Sequence, residues 1–484
     1  MGGIKRAFFV ASAERYVSLL VSFVTLAVIA RLLSPHEIGL TVVGTSLLVL
    51  AQSVRDFGAS TYIVQTKTLS KVAVCSTVSI TILIALVFAL AFLVFATPLA
   101  GLYREPLLAD YFRLLALALL FGTFCVPLSS LLQRDMAFGS VAAINITGVI
   151  VGALVAIALA AAGCGFMSIA WAAVAQSMSS VAVATWLRPE FWVFRPDLRE
   201  WRAVLAFGSY SSTSFLLGRL YDFLPYLVVG WLLPMDAIGR FSRTVMVCDL
   251  PLKGLLTGLF PVALPALLHH VRQGHSLKAA YLESLALITG VLWPTLVGLA
   301  LVAEPVVQIV LGEQWLDIVP LVRLTALATL FTFPVSLTYP VLVAAGAVRQ
   351  TIVVNLIALP VSALVLLAAA HSGLTAMVSS LFLTLPFASA VALIVVRREL
   401  GFAWAELATA LRKSVVVTSL TAVGPTAALL ASGEHGPSGW LASMVVILLG
   451  IFGWVASLFW IEHPLKAHIC SLRTGRYVAS SSRA

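Results

Sequence analysis

Apolar runs long enough to cross a bilayer recur along almost the whole chain, separated by short polar connections. A spanning helix needs about 20 mainly apolar residues. Such segments fall near 14–33, 38–62, 72–99, 112–132, 139–162, 165–187, 203–233, 237–268, 277–303, 320–344, 350–371, 374–396, 412–432 and 439–461, fourteen in all. The longest connections, near 188–202 and 397–411, are too short to fold as soluble domains. The chain therefore reads as an all-α polytopic membrane protein. Composition agrees, with 61% hydrophobic and 10% charged residues, where a soluble globular chain is about a quarter charged.

The net charge of +10 does not point to nucleic acid, because the basic residues are scattered among apolar segments. Their distribution gives an orientation instead. Of 30 Lys and Arg, twenty lie in alternate connections counted from the N-terminus; Arg31, Arg104, Arg113 and Arg323 alone lie on the opposite side. That bias predicts an even number of spans with both termini cytoplasmic. Lys5 and Arg6 precede a stretch broken by Glu14 and Arg15, and no small-residue site closes a short apolar region, so no cleaved signal peptide is expected. The five cysteines, an odd number without CxxC spacing, read as small core residues.

The chain also repeats itself. FRLLALALLF at 112–121 aligns without gaps on VRLTALATLF at 322–331, with seven of ten positions identical, including Arg113 and Arg323. ARLLSPHEIG at 30–39 matches GWLLPMDAIG at 230–239 at Leu32/Leu232, Leu33/Leu233, Ile38/Ile238 and Gly39/Gly239. Six spans fit within each offset of 210 or 200 residues, so both copies enter from the same side and the duplication is parallel. Four regions are expected: six-helix lobes at 1–200 and 201–400, two further helices at 401–461, and a basic tail at 462–484.

Several stretches carry a resemblance: A-R-L-L-S-P-x-E-x-G at 30–39, R-D-F-G at 55–58, Q-R-D-M-A-F at 133–138 and I-G-R-F-S-R at 238–243. Over nearly its whole length the chain resembles the polysaccharide transporter family, oligosaccharide flippases of the multidrug/oligosaccharidyl-lipid/polysaccharide superfamily. The resemblance implies two six-helix lobes around a central cavity and two extra C-terminal helices. It further implies transfer of an undecaprenyl-pyrophosphate-linked oligosaccharide across the bacterial inner membrane. The implied partners are that lipid-linked oligosaccharide and membrane lipids, with a polysaccharide polymerase and export proteins nearby.

A flipped lipid-linked sugar presents a pyrophosphate, a sugar head and an apolar tail, so cations inside an apolar wall are the candidates. The stretch 203–268 carries Arg219, Asp222, Arg240, Arg243, Asp249 and Lys253, each costing roughly 2.5 to 3.5 kcal/mol at mid-bilayer. Arg219/Asp222 at i, i+3 and Asp249/Lys253 at i, i+4 can neutralise each other on a helix face. Arg243 has no acid within four residues and Arg240 has only Asp236, four residues before it in the turn between the spans; their fork-shaped donors suit a diphosphate. The alternative is that they snorkel at the rim. The matching first-repeat positions, Leu40 and Val43, are apolar. Glu14/Arg15 and Arg55/Asp56, at the cytoplasmic ends of the first two spans, read as interface anchors or as a docking point for the substrate head.

Glu283, with Asp222 and Asp249, is a candidate ion-coupling carboxylate. The hydroxyl run from Tyr210 to Ser214 reads as helix packing or sugar contact, and Pro251, Pro261 and Pro265 as a kink suited to a hinge. No P-loop is present, and HHVRQGH at 269–275 lacks clustered Cys or carboxylates, so neither cofactor nor metal is expected. Asn145-Ile146-Thr147 matches a glycosylation sequon but lies within the fifth span, out of reach of a transferase. A cation-coupled drug antiporter of the same superfamily would favour lone carboxylates, whereas most lone intramembrane charges here are Arg. A polysaccharide polymerase or ligase, the enzyme alternative, would need a sizeable outer loop. Reporter fusions test the orientation: Gly165, Asp236 and Glu434 should report periplasmic, and Pro196 and Lys466 cytoplasmic. A periplasmic signal at Pro196 contradicts both the topology and the parallel repeat.

Overall fold

A computed structural model describes residues 2–56, 59–66, 69–251, 253, 276–347, 349–431 and 440–466. Everything regular among them is helix. Among the described residues, eleven helical segments are long and apolar enough to cross a membrane. They match eleven of the fourteen expected segments. The other three, near 203–233, 237–268 and 439–461, fall where residues or side chains lie partly outside the description. The chain is a multi-pass membrane protein built as two compact units, 1–242 and 243–484.

The first unit contains α1 (Gly2–Leu32), α2 (Pro35–Asp56), the short α3 (Ala59–Gln65), α4 (Lys71–Leu102), α5 (Leu108–Arg134), α6 (Phe138–Ala161), α7 (Met167–Leu187) and α8 (Trp201–Leu232). It also holds the start of α9, which runs over 235–251. Helix starts follow their sequence. Ser34 accepts from Glu37 N at 3.3 Å while the Glu37 carboxylate accepts from Ser34 N at 2.9 Å, a reciprocal capping box with Pro35 opening the helix. Ser70 caps α4 by accepting from Ala73 N at 2.9 Å. Packing relies on small residues, because lipid is as apolar as leucine and only close backbone approach favours helix over lipid contact. On α6 the buried face reads Gly148, Gly152, Ala156 and Ala160, four residues apart, against Gln176 and Ser180 of α7.

The second unit contains the rest of α9, then α10 (Leu277–Leu301), α11 (Ala303–Val310), α12 (Val319–Thr329), α13 (Val335–Ala344), α14 (Arg349–Ala370), α15 (Leu374–Ser379), α16 (Leu381–Leu400), α17 (Trp404–Ala431) and α18 (Trp440–Trp460). The repeat seen in sequence reaches much further in burial. Leu108, Tyr111, Phe112, Leu115, Ala116, Ala118 and Leu119 are buried, and so are Ile318, Leu321, Val322, Thr325, Ala326, Ala328 and Thr329, each 210 residues on. Arg113 and Arg323 are both exposed. The α6 stripe recurs on α14 as Ala358, Ser362, Leu366 and Ala370. Chain reversals recur too: Met136 (φ 57) and Gly346 (φ 74) each follow a helix end in the left-handed region. Around them Ala137 N bonds Leu132 O at 2.9 Å and Ala347 N bonds Leu342 O at 2.8 Å, the six-to-one bond of a Schellman motif.

One difference has a clear cause. Where α5 is continuous, its counterpart breaks into α12 and α13 at Phe333-Pro334. Proline has no N–H, so the Leu330 carbonyl four residues back loses its helical donor. Trp293 of α10 replaces it, its indole N–H donating to Leu330 O at 2.8 Å, and the Ser389 hydroxyl donates to the adjacent Phe331 O at 2.5 Å. An orphaned buried carbonyl costs about 1–3 kcal/mol. Trp293→Phe should therefore lower the thermal unfolding midpoint of the solubilised protein by several degrees. Adding Pro334→Ala, which restores the N–H, should recover part of that loss. Strict additivity of the two changes would contradict the capping role.

Candidate functional site

α9 is where the charges singled out from sequence concentrate. It is unbroken from 235 to 251, so Arg240 and Arg243 stand three residues apart on a true helix. Arg243 is 6% exposed, and one guanidinium N–H reaches Met246 Sδ at 3.5 Å; Arg240 is half-buried. An arginine this enclosed does not have its head in open water, as snorkelling at a rim would require. The residue after Arg240 joins an aromatic cluster: the Phe241 ring lies 5.5 Å from the Tyr226 ring of α8, and Phe223 lies 6.4 Å from Tyr226. The i, i+4 pair forms as its spacing requires, Lys253 Nζ lying 3.1 Å from Asp249 Oδ2. Arg219 is half-buried on α8, whereas the Asp222 side chain, the 210–214 hydroxyls, Pro261, Pro265 and the 269–275 histidines lie outside the described residues.

The first unit holds a polar interior that the sequence indicates only in part. Arg55, read as an interface residue, is 5% exposed. Its guanidinium grips Asp56 Oδ1 at 2.7 and 2.9 Å and reaches Leu119 O and Thr123 Oγ1 of α5 at 3.3 and 3.4 Å. The absence of a side chain at Gly122 leaves room for it, with Ser177 on the far wall. Outside that interior, Asn145, noted only for its sequon and exposed on α6, donates to Glu14 of α1 at 3.2 Å, while Arg15 next to Glu14 is exposed. Polar residues within otherwise apolar helices were the available signal for Asn145 and Gln176.

In the second unit Glu283 is exposed on α10. It lines a groove of about 590 Å³ with Leu282, Ala286, Ala405, Thr409, Lys413 and Pro464. Lys278 and Glu406 form an ion pair at 2.6 Å near that groove. Beside it sits a feature with no sequence signal. His463, in the turn after α18, is 1% exposed and faces the Ser414 hydroxyl at 3.1 Å through Nε2. Its Nδ1 accepts from Leu465 N at 3.2 Å, so Nε2 carries the proton and donates. Ser414 in turn accepts from Thr289 at 2.8 Å, and Gly290 leaves the space the imidazole fills. Among the described residues no cluster of His, Cys, Asp and Glu is placed to hold a metal ion.

A family model described as "Polysaccharide biosynthesis protein" matches residues 28–320. The chain is similar to the lipopolysaccharide biosynthesis protein WzxC of Escherichia coli (strain K12), 24% identical over 307 residues that cover 62% of each chain. It is also similar to the succinoglycan biosynthesis transport protein ExoT of Rhizobium meliloti (strain 1021), 27% identical over 67% of this chain and 66% of that one. These matches span 62% and 66% of the relatives' own lengths. In fold it resembles the lipid II flippase MurJ in an inward closed conformation, with TM-score 0.71, 12% identity and coverage of 97% of this chain and 100% of that one. An inward-facing multidrug resistance MATE family transporter of the MOP superfamily follows, with TM-score 0.65, 15% identity and coverage of 81% and 98%.

The buried histidine gives a signed pH effect. Burial, reinforced by the Lys413 ammonium, pushes His463 down to about 4 from the ordinary value of 6.5. Above pH 6.5 neither the folded nor the unfolded state is protonated there. As pH falls from about 6.5 to 4, the unfolded state takes up a proton that the folded state refuses, and stability is lost. The unfolding midpoint should therefore fall between pH 7.5 and 5 more steeply in the wild type than in His463→Leu. Equal slopes would show that His463 is not the titrating group.

Proposed function

This chain belongs to the polysaccharide biosynthesis protein family, and from that premise we propose that it carries an undecaprenyl-pyrophosphate-linked oligosaccharide across the bacterial inner membrane by alternating access, as a transporter serving surface polysaccharide synthesis. The names of its relatives, a lipopolysaccharide biosynthesis protein and a succinoglycan biosynthesis transport protein, support that class of cargo. The excess of Lys and Arg in alternate connections supports a topology of fourteen spans with both termini cytoplasmic. We assign two six-helix lobes to 1–200 and 201–400, with 401–461 and the tail at 462–484 appended. A polymerase and export proteins are the expected neighbours in the pathway.

The observation that carries the reading is the pair of arginines on α9. Arg240 and Arg243 stand where the first repeat has Leu40 and Val43, so the second copy has gained cations at two positions of an otherwise shared helix. A guanidinium offers five donors in a rigid plane, enough to hold phosphate oxygens in addition to protein partners. Asp249 and Lys253, which pair with each other, are better placed to keep α9 neutral further along than to bind cargo. The enclosure of Arg55 by Asp56 and α5 favours a structural role over cargo docking, and Arg219 and Arg15 are secondary candidates. A drug antiporter would be favoured by an enclosed lone carboxylate, but Glu283 is exposed at a groove.

The experiment is complementation of a strain lacking this gene, scored by surface polysaccharide per unit of protein in the membrane. The Arg240→Ala, Arg243→Ala double variant should lose at least about tenfold, and the double Lys variant should recover part of the output, since Lys supplies charge without the fork. Full output from the Ala variant would remove the anion-site reading. Equal output from Lys and Arg would reduce both residues to charge alone.

A further inference from the structure

At one end of the first unit the repeat mates touch each other. A Cβ at Gly39 would run into the Met235 carbonyl oxygen, and a Cβ at Gly239 would run into the Pro35 carbonyl oxygen. Gly39 and Gly239 are 200 residues apart, and so are Pro35 and Met235, so the contact is reciprocal. Reciprocity of this kind is what a two-fold axis produces, and next to such an axis a residue meets its own mate. His36 does so: its Nδ1 lies 3.2 Å from Oδ1 of Asp236, its counterpart at the 200-residue offset. Its Nε2 lies 3.4 Å from Oε1 of Glu105, in the connection between α4 and α5. The same end gathers Glu37, which accepts from Ser34 and abuts Gly165 between α6 and α7.

Both ring nitrogens of His36 thus face carboxylate oxygens. A neutral imidazole has one N–H and one lone pair, so one of its nitrogens would turn a lone pair toward an anion. Only the imidazolium donates at both. We infer that His36 is a proton-binding site that clamps the crossing of α2 and α9, held closed by the protonated ring and loosened by the neutral one. Asp236 and Glu105 are the charged groups facing the ring; Arg31 of α1, Glu37 of α2, Tyr103 and Arg104 after α4, and Arg240 of α9, one turn beyond Asp236, are the other ionisable groups that the elements meeting here carry close by in sequence.

The roles divide by residue. The two glycines set how closely α2 and α9 approach, since any side chain at either position would force the backbones apart. His36 decides how firmly that approach is held. Its side chain is 45% exposed and those of Asp236 and Glu105 are 48% and 23% exposed, so protons reach the clamp freely. Exposed pairs are individually weak, and together the two shift the balance by roughly fivefold. A clamp of that size biases a moving joint without locking it.

The inference does not require that the cargo be identified, and its test uses none. Hydrogen exchange of the full-length protein in lipid nanodiscs is measured at pH 5.5 and pH 8.0, an interval across which histidine characteristically changes charge, with rates corrected for intrinsic exchange. Peptides covering 35–42 and 235–242 should exchange about fivefold faster at pH 8.0 in the wild type. His36→Gln should be fast at both pH values and His36→Lys, a cation throughout, slow at both. Peptides from 138–161 report whether each variant is folded. A wild type indifferent to pH, or a His36→Gln variant that keeps the full pH response, overturns the proposal. Should the Gln variant fail to fold, the Lys variant still decides, because a surviving pH response there would also exclude His36.

Discussion

A peptide group in hydrocarbon has no water to bond, so each N–H and C=O in the membrane must be satisfied by the chain itself. That single requirement explains the uninterrupted helices, and it also explains what happens where helices are interrupted. At several breaks among the described residues a long donor from elsewhere takes over the exposed carbonyls. Trp293 serves Leu330, Arg134 donates to Ile63 O and Thr66 O at 2.7 Å each at the end of α3, and Lys413 donates to Glu462 O at 2.9 Å. Trp454 does the same for Gly290 O at 2.9 Å, fixing α18 to α10. The ends and breaks of these helices are therefore also the joints that hold each unit together.

Duplication lets one solution to that requirement be used twice, and the places where the copies differ are informative for that reason. The buried positions of α5 and α12 coincide at the 210-residue offset, as do the reversals at Met136 and Gly346 and the glycines Gly163 and Gly373. Against that shared background Pro334 is a local change with a local repair. The arginines of α9 are of another kind: the cost of enclosing Arg243 is not repaid by any gain in regularity of the helix, since Val43 already forms the same helix in the first copy.

The helical, membrane-spanning character of the chain and the place of eleven spans were legible because hydropathy over twenty residues is a strong signal, and the repeat because FRLLALALLF recurs nearly intact. The i, i+4 pairing of Asp249 with Lys253 was legible for the same reason, as it depends on spacing alone. Which face of each helix is buried was not. In water a helix shows its buried face by contrast with a polar one, but here both the lipid and the protein interior are apolar and the contrast vanishes. The burial of Arg55, read from sequence as an interface residue, was not legible because its partners Leu119 and Thr123 are more than sixty residues away. Glu14 and Asn145 are separated by 131 residues, and His463 is joined to Ser414 across 49. The small-residue stripe of α6 is the exception, since glycine and alanine every four residues mark a packing face even without a polar one.

The crossing of α2 with α9 and the arginines of α9 are connected by the stiffness of a helix. Gly239, the contact point, directly precedes Arg240, and Arg243 follows within one turn. No proline interrupts α9 between the contact and the arginines, so the helix is continuous from one to the other. A helix that pivots on a side-chain-free contact can change direction with little cost at the pivot itself, because no interdigitated side chains have to be withdrawn. The guanidiniums must turn with it. Placing the pivot and the cations within five residues of each other means that whatever loosens the crossing re-aims the charges, and whatever pulls on the charges strains the crossing. For a protein proposed to move an anion from one side of a membrane to the other, that adjacency is the physical form coupling would take.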